Sequence, residues 1–166
     1  MALAAAALAV LVLAGGCQRS GARAPQPGAG GTPSPVDTAT GAQDSADDAA
    51  SVVRAYYRAI SDRRYDVAYR LWESSGAASG KSSDAFRDGF ASTASVDVVL
   101  GAPGPIEGAA GSRYVEIPVR ITAVATDGGR QAFTGTYVLR RSVVDGATPE
   151  QRMWRIYSAK IRPARP

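Results

Sequence analysis

The sequence predicts an α+β domain in which three N-terminal helices pack on a curved four-stranded antiparallel sheet. Three observations lead there. Apolar residues recur at helical spacing from Ala49 to Phe90 and then at every second residue from Val96 onward. Asp127-Gly128-Gly129, between two alternating runs, marks an antiparallel hairpin. The first 44 residues are an apolar leader and a Pro/Gly-rich stretch, which confines the folded part to residues 45–162. Helices first and strands afterwards give segregated layers rather than an alternating βα sheet.

The first helix starts at Ser45, a serine N-cap followed by Asp47 and Asp48 in the positive first turn. Ala49, Val52, Val53, Tyr56 and Ile60 make its apolar stripe, with Arg54 and Arg58 on another face. A second short helix runs through Tyr65-Asp66-Val67-Ala68-Tyr69-Arg70-Leu71-Trp72 and lines up Tyr65, Ala68, Leu71 and Trp72. After a Gly/Ser loop, Ser82-Ser83-Asp84 caps a third helix that carries Phe86 and Phe90 four residues apart. Val96, Val98 and Leu100 then alternate as the first strand, and the segment Gly101 to Gly111 reads as turn. Tyr114 to Ala125 is a long strand with Val115, Ile117, Val119 and Ile121 on one face and Glu116, Arg120 and Thr122 on the other. Phe133, Tyr137 and Leu139 share a face of the returning strand, and Trp154 to Ile161 is the last.

The leader carries the most specific signal. Ala2 to Ala14 contain only Ala, Leu and Val, about 20 Å as a helix and too short for a ~30 Å hydrocarbon core. It matches the apolar region of a signal peptide, although no Lys or Arg precedes it. Leu13-Ala14-Gly15-Gly16-Cys17 follows, and small residues before a first cysteine resemble the lipobox of bacterial lipoproteins, with Ala14 where Leu is most usual. The resemblance implies cleavage of residues 1–16, a diacylglycerol on the Cys17 thiol and a membrane anchor. The alternatives are secretion with a cut after Ala22-Arg23-Ala24, which Pro25 disfavours, and a cysteine that acts only as a small hydrophobe. Residues 17–44 then form the expected tether. Between Arg19 and Asp44 lie four prolines and no large apolar side chain except Val36, so the segment cannot offset its ordering entropy. Its reach is about 30 Å.

Composition removes several function classes. Histidine is absent and Cys17 is the single cysteine, which excludes an internal disulfide, a Cys/His zinc site and any histidine-based triad or base. No haem, soft-metal or other cofactor signature is present. Lys plus Arg number 19 against 15 for Asp plus Glu, a net +4 without the dense basic stripe that nucleic acid requires. The charge is unevenly spread: Ser45 to Ser112 has seven basic and nine acidic residues, Arg113 to Pro166 ten and four. Arg120, Arg140, Arg141 and Arg155 are therefore candidate contacts to an anionic surface, lipid head groups or an acidic partner. Arginines balancing neighbours on an exposed sheet are the structural alternative.

The element order, the tyrosine-rich first helix and R-Y-D-V-A-Y-R-L-W resemble the nuclear transport factor 2-like or ketosteroid-isomerase-like cone. Y-V-E-I-P-V and F-T-G-T-Y-V-L-R-R fit its long hairpin. The resemblance implies acids and tyrosines projecting into a cone, which makes Tyr56, Tyr69, Asp97 and Glu116 the candidate pocket residues. A carboxyl group in an apolar pocket would titrate high and serve as acid or base. Strict alternation, however, sets Asp97 and Glu116 opposite the apolar faces of their strands, and the tyrosines fit helix–sheet packing. The sequence thus predicts a membrane-tethered, non-enzymatic binding or interaction domain of the cell envelope. Its expected partners are the membrane through Cys17, an envelope protein or a small ligand, and, by the resemblance, a second copy in a homodimer. A small hydrolase, dehydratase or isomerase acting in the cone is the rival.

Overall fold

The computed structural model describes residues 45–164. The expected signal peptide, Cys17 and the expected tether lie outside the described residues. Helix α1 (Ala46–Ser61) opens with a reciprocal capping box: the Asp48 N–H donates to Ser45 Oγ at 3.1 Å and the Ser45 N–H donates to the Asp48 carboxylate at 3.1 Å. It buries Ala49, Ala50, Val53, Tyr56, Tyr57, Ala59 and Ile60. Helix α2 (Tyr65–Arg70) ends before Trp72, whose backbone forms an isolated bridge to Ile156. The expected loop after it is a 3₁₀ segment (Ser74–Ser79) broken by left-handed Ser75 and Gly76. Helix α3 (Ser83–Asp88) is capped by Ser82, which accepts from the Ala85 N–H.

The sheet has five strands rather than four: β1 (Thr93–Leu100), β2 (Glu107–Ala109), β3 (Ser112–Ala125), β4 (Arg130–Ser142) and β5 (Arg155–Pro163). Their order is β1-β3-β4-β5, with β2 also paired to β3. The additional strand is the correction to the expected Gly101 to Gly111 turn. Ala109 pairs with Ser112 around Ala110 and Gly111, at φ +44° and +75°. Two successive left-handed residues are the two-residue hairpin geometry whose twist matches the strands. The Asp127-Gly128-Gly129 hairpin joins β3 to β4 as expected, with Gly128 left-handed and Asp127 accepting from the Gly129 N–H at 2.8 Å.

Alternation decides the faces. Val115, Ile117, Val119 and Ile121 are buried, while Glu116, Pro118, Arg120 and Thr122 are exposed. The buried row meets Tyr56, Trp72, Phe86, Tyr137, Leu139, Trp154 and Ile156 in one core, with Leu71, Phe90 and Phe133 packed at its margin. Register shifts at Thr93/Ser95 in β1 and Val138/Leu139 in β4 are irregularities of the kind that bend a strand. Gly135, opposite Ile161, adds a close approach, for a Cβ there would collide with the Lys160 carbonyl oxygen. Gly135→Ala is expected to force β4 and β5 apart and to cost about 1–3 kcal/mol, read as a lowered thermal midpoint. An unchanged midpoint would mean that the two strands are not in this register.

Candidate functional site

The concavity between helices and sheet is occupied by aromatic rings. Tyr56 and Tyr57 are consecutive on α1, and both are buried because the helix lies along the sheet. The Tyr56 ring centroid is 5.0 Å from that of Tyr57, 5.9 Å from Tyr137, 6.1 Å from Trp72 and 6.2 Å from Phe86. The hydroxyls of Tyr57 and Tyr137 share a hydrogen bond of 2.7 Å. Trp72 Nε1 is buried among these rings and has no hydrogen-bond partner among the described residues. Burial, first of all, pushes the three phenols above their ordinary 10.0, so they stay protonated at neutral pH. Such a group donates hydrogen bonds and does not abstract protons.

The four pocket candidates are divided. Tyr56 alone belongs to this interior cluster. Tyr69 is half-buried at its margin, its ring 5.4 Å from Phe86 and its hydroxyl donating to the Lys81 carbonyl at 2.8 Å. Asp97 and Glu116 are exposed, each one residue from a buried valine. They stand on the outer face, where Asp97 pairs with Thr122 and Glu116 with Val138. Tyr57, Tyr137 and Trp72 complete the cluster. The resemblance also offers Tyr57 and Tyr137 as possible donors, but their link spans 80 residues and has no local sequence signal.

The four candidate arginines do not form one cationic surface either. Arg120 is exposed. Arg140 is held by the Glu73 carboxylate, donates through Nε to Ser112 Oγ at 3.0 Å, and lies 5.9 Å over the Tyr114 ring. Arg141 stacks 5.4 Å from the Trp154 ring, and burial, then Arg152, push its pKa down. Arg155 faces Glu150 at 3.6 Å, its side chain only 20% exposed. The cations that the register leaves exposed beside Arg120 are Arg162, across Thr134, and Lys160 in the next row.

An open polar cleft lies where β4 and β5 meet the 3₁₀ segment and the loop between those strands. It has a volume of about 340 Å³ and is lined by Glu73, Ser75, Arg140, Ser142, Gln151 and Arg155, among others. The wall is built locally on both sides. Ser74 and Ser75 both have φ +55°, a conformation that non-glycine residues adopt at some cost. On the loop, Thr148 and Gln151 bond reciprocally, backbone N–H to side-chain oxygen, at 2.9 and 3.2 Å. Among the described residues no group of three or more acidic or cysteine side chains could hold a metal ion, and no helix is long and apolar enough to cross a membrane.

No family model and no curated protein matches the sequence. Solved structures do resemble it. One is a proposed dehydratase of the NTF2-like family from Streptomyces avermitilis, at TM-score 0.49 and 14% identity over 71% of this chain and 95% of that one. Another is an NTF2-like superfamily protein from Salmonella enterica serovar Typhimurium, at TM-score 0.45 and 15% identity over 73% and 92%. A proposed aromatic ring hydroxylase from Novosphingobium aromaticivorans superposes at TM-score 0.50 and 16% identity, over 75% of this chain and 94% of its own. At that identity the likeness is one of fold alone, helices set against one face of an antiparallel sheet, the class that the sequence predicts.

Proposed function

We propose that the chain is an envelope lipoprotein, anchored through an acylated Cys17, whose folded domain is a binding module rather than an enzyme. The observation that carries this reading is the division of chemistry between interior and surface. The concavity holds neutral phenols packed against one another, the carboxylates named as bases stand on the outer face, and the cleft beside the sheet is lined by hydrogen-bonding side chains. The lipobox-like Leu13 to Cys17 and the following tether support attachment at a bilayer. Gln18 after the cysteine, rather than Asp, fits sorting to the outer membrane in a Gram-negative host; in other hosts the place is the outer face of the plasma membrane. Cys17→Ser is expected to shift the protein from the detergent phase to the aqueous phase, or to block its maturation. Unchanged partitioning would sink the anchor.

The rival reading, a dehydratase, hydrolase or isomerase, draws on one observation. The paired hydroxyls of Tyr57 and Tyr137 could donate to a developing oxyanion. It needs a base beside them, which neither Asp97 nor Glu116 supplies from the outer face.

A further inference from the structure

We propose that the cleft beside β4 and β5 binds a small carboxylate-bearing ligand, whose carboxylate replaces that of Glu150 on the Arg155 guanidinium. This rests on the binding-module reading and names the ligand class of its cleft.

Arg155 is the residue that leads there. Its side chain is 20% exposed, and its one ion-pair partner among the described residues is Glu150 at 3.6 Å. Among those residues its guanidinium makes no hydrogen bond. A guanidinium carries five N–H donors in a planar fork that fits a carboxylate with two parallel bonds. Here the side chain as a whole is only 20% exposed, and the donors of that fork make no hydrogen bond to a described residue, so they remain open to a ligand. Glu150 holds it loosely, for the glutamate side chain is 66% exposed and lies beyond hydrogen-bond distance.

The surroundings favour an anion. Arg140 is the cross-strand partner of Arg155, and like charges in that relation repel. Arg140 is itself matched by Glu73 and Ser112 and stays in place, so that pair adds no net charge beside the open fork. Exchanging Glu150 for a ligand carboxylate leaves the charge of the cleft unchanged. It also releases a side chain that is already mostly in water, so little desolvation is lost. Ser75, Ser142, Thr148 and Gln151 offer donors and acceptors to an adjacent amide or hydroxyl, and Met153 an apolar contact. A volume of about 340 Å³ is at the small end of ligand sites. The class is thus a short amido- or hydroxy-carboxylate.

The test is calorimetric titration of the full chain in detergent with N-acetylalanine, alongside inorganic phosphate. Two variants are expected to move in opposite directions. Arg155→Lys keeps the charge but loses the fork, and weakens N-acetylalanine binding tenfold or more. Glu150→Gln removes the competing carboxylate and tightens it several-fold. Thermal midpoints identify a variant that has merely unfolded, and Glu150→Gln, an exposed substitution, keeps the test decisive if Arg155→Lys does not fold. No binding of N-acetylalanine by wild type and Glu150→Gln alike would overturn the proposal, as would preference for phosphate. Binding that ignores both substitutions would place the ligand elsewhere, which ends the Arg155 assignment and leaves the binding module standing. Chemical conversion of the probe would instead end the module reading itself.

Discussion

Trp72→Ala is expected to destabilise the domain by about 3–5 kcal/mol, the range for removing a large buried aromatic and leaving a cavity. Trp72 is 8% exposed. Its ring is 6.1 Å from Tyr56 and 6.2 Å from Tyr137, and its backbone bridges to Ile156 at the point where α2 gives way to the 3₁₀ segment. The substitution therefore removes the ring that joins helix, sheet and aromatic cluster. For a domain whose total stability is typically ~5–15 kcal/mol, partial unfolding is the visible outcome in urea denaturation. Glu116→Gln, on the exposed face of β3, should change stability by less than about 0.5 kcal/mol. The reverse ranking of the two variants would mean that the faces of helix and strand are exchanged.

Alkaline pH is expected to unfold the domain steeply, and Tyr137→Phe to blunt that dependence. Burial raises the pKa of Tyr56, Tyr57 and Tyr137 above the ordinary 10.0. Below pH 10 both native and unfolded chains hold these protons, and the full stability is present. Above it the unfolded chain releases protons that the native state retains, so stability falls as pH rises. Each such group approaches about 1.4 kcal/mol per pH unit only well above pH 10, and the Tyr137→Phe slope should be lower by about one third. At neutral pH the same variant should cost about 1–3 kcal/mol, because Tyr57 loses its hydrogen-bond partner in a buried site. Chemical denaturation at pH 7 and between pH 9 and 11 measures both. Equal slopes for the two proteins would show that the Tyr137 hydroxyl titrates freely.

Helix starts, the long hairpin and the core faces were legible because each is written in local periodicity. The capping box at Ser45, the Ser82 cap and the alternation of β3 each depend on residues only a few positions apart. Strand β2 was not, since its turn uses Ala110 in a left-handed conformation where Asn or Gly would have announced it. The role of Gly135 was hidden too, for its reason is the Lys160 carbonyl on another strand. The same limit governs the site. Alternation put Asp97 and Glu116 on the outer face, but the aromatic cluster and the Glu73–Arg140 pair depend on partners 80 and 67 residues apart. Arg140 looked like a member of an open basic surface because Glu73 comes from a distant element, whereas Glu150 stands in the loop just before Arg155.

Whether the domain binds in its polar cleft or in its aromatic interior is tested most directly by backbone-amide NMR of the full chain in detergent micelles, titrated with N-acetylalanine. Binding in the cleft should shift the amides of Glu73, Ser75, Ser142, Gln151 and Arg155 and leave Tyr56, Tyr57 and Tyr137 unmoved. Shifts centred on the three tyrosines, with the cleft silent, would contradict it and return the site to the cone.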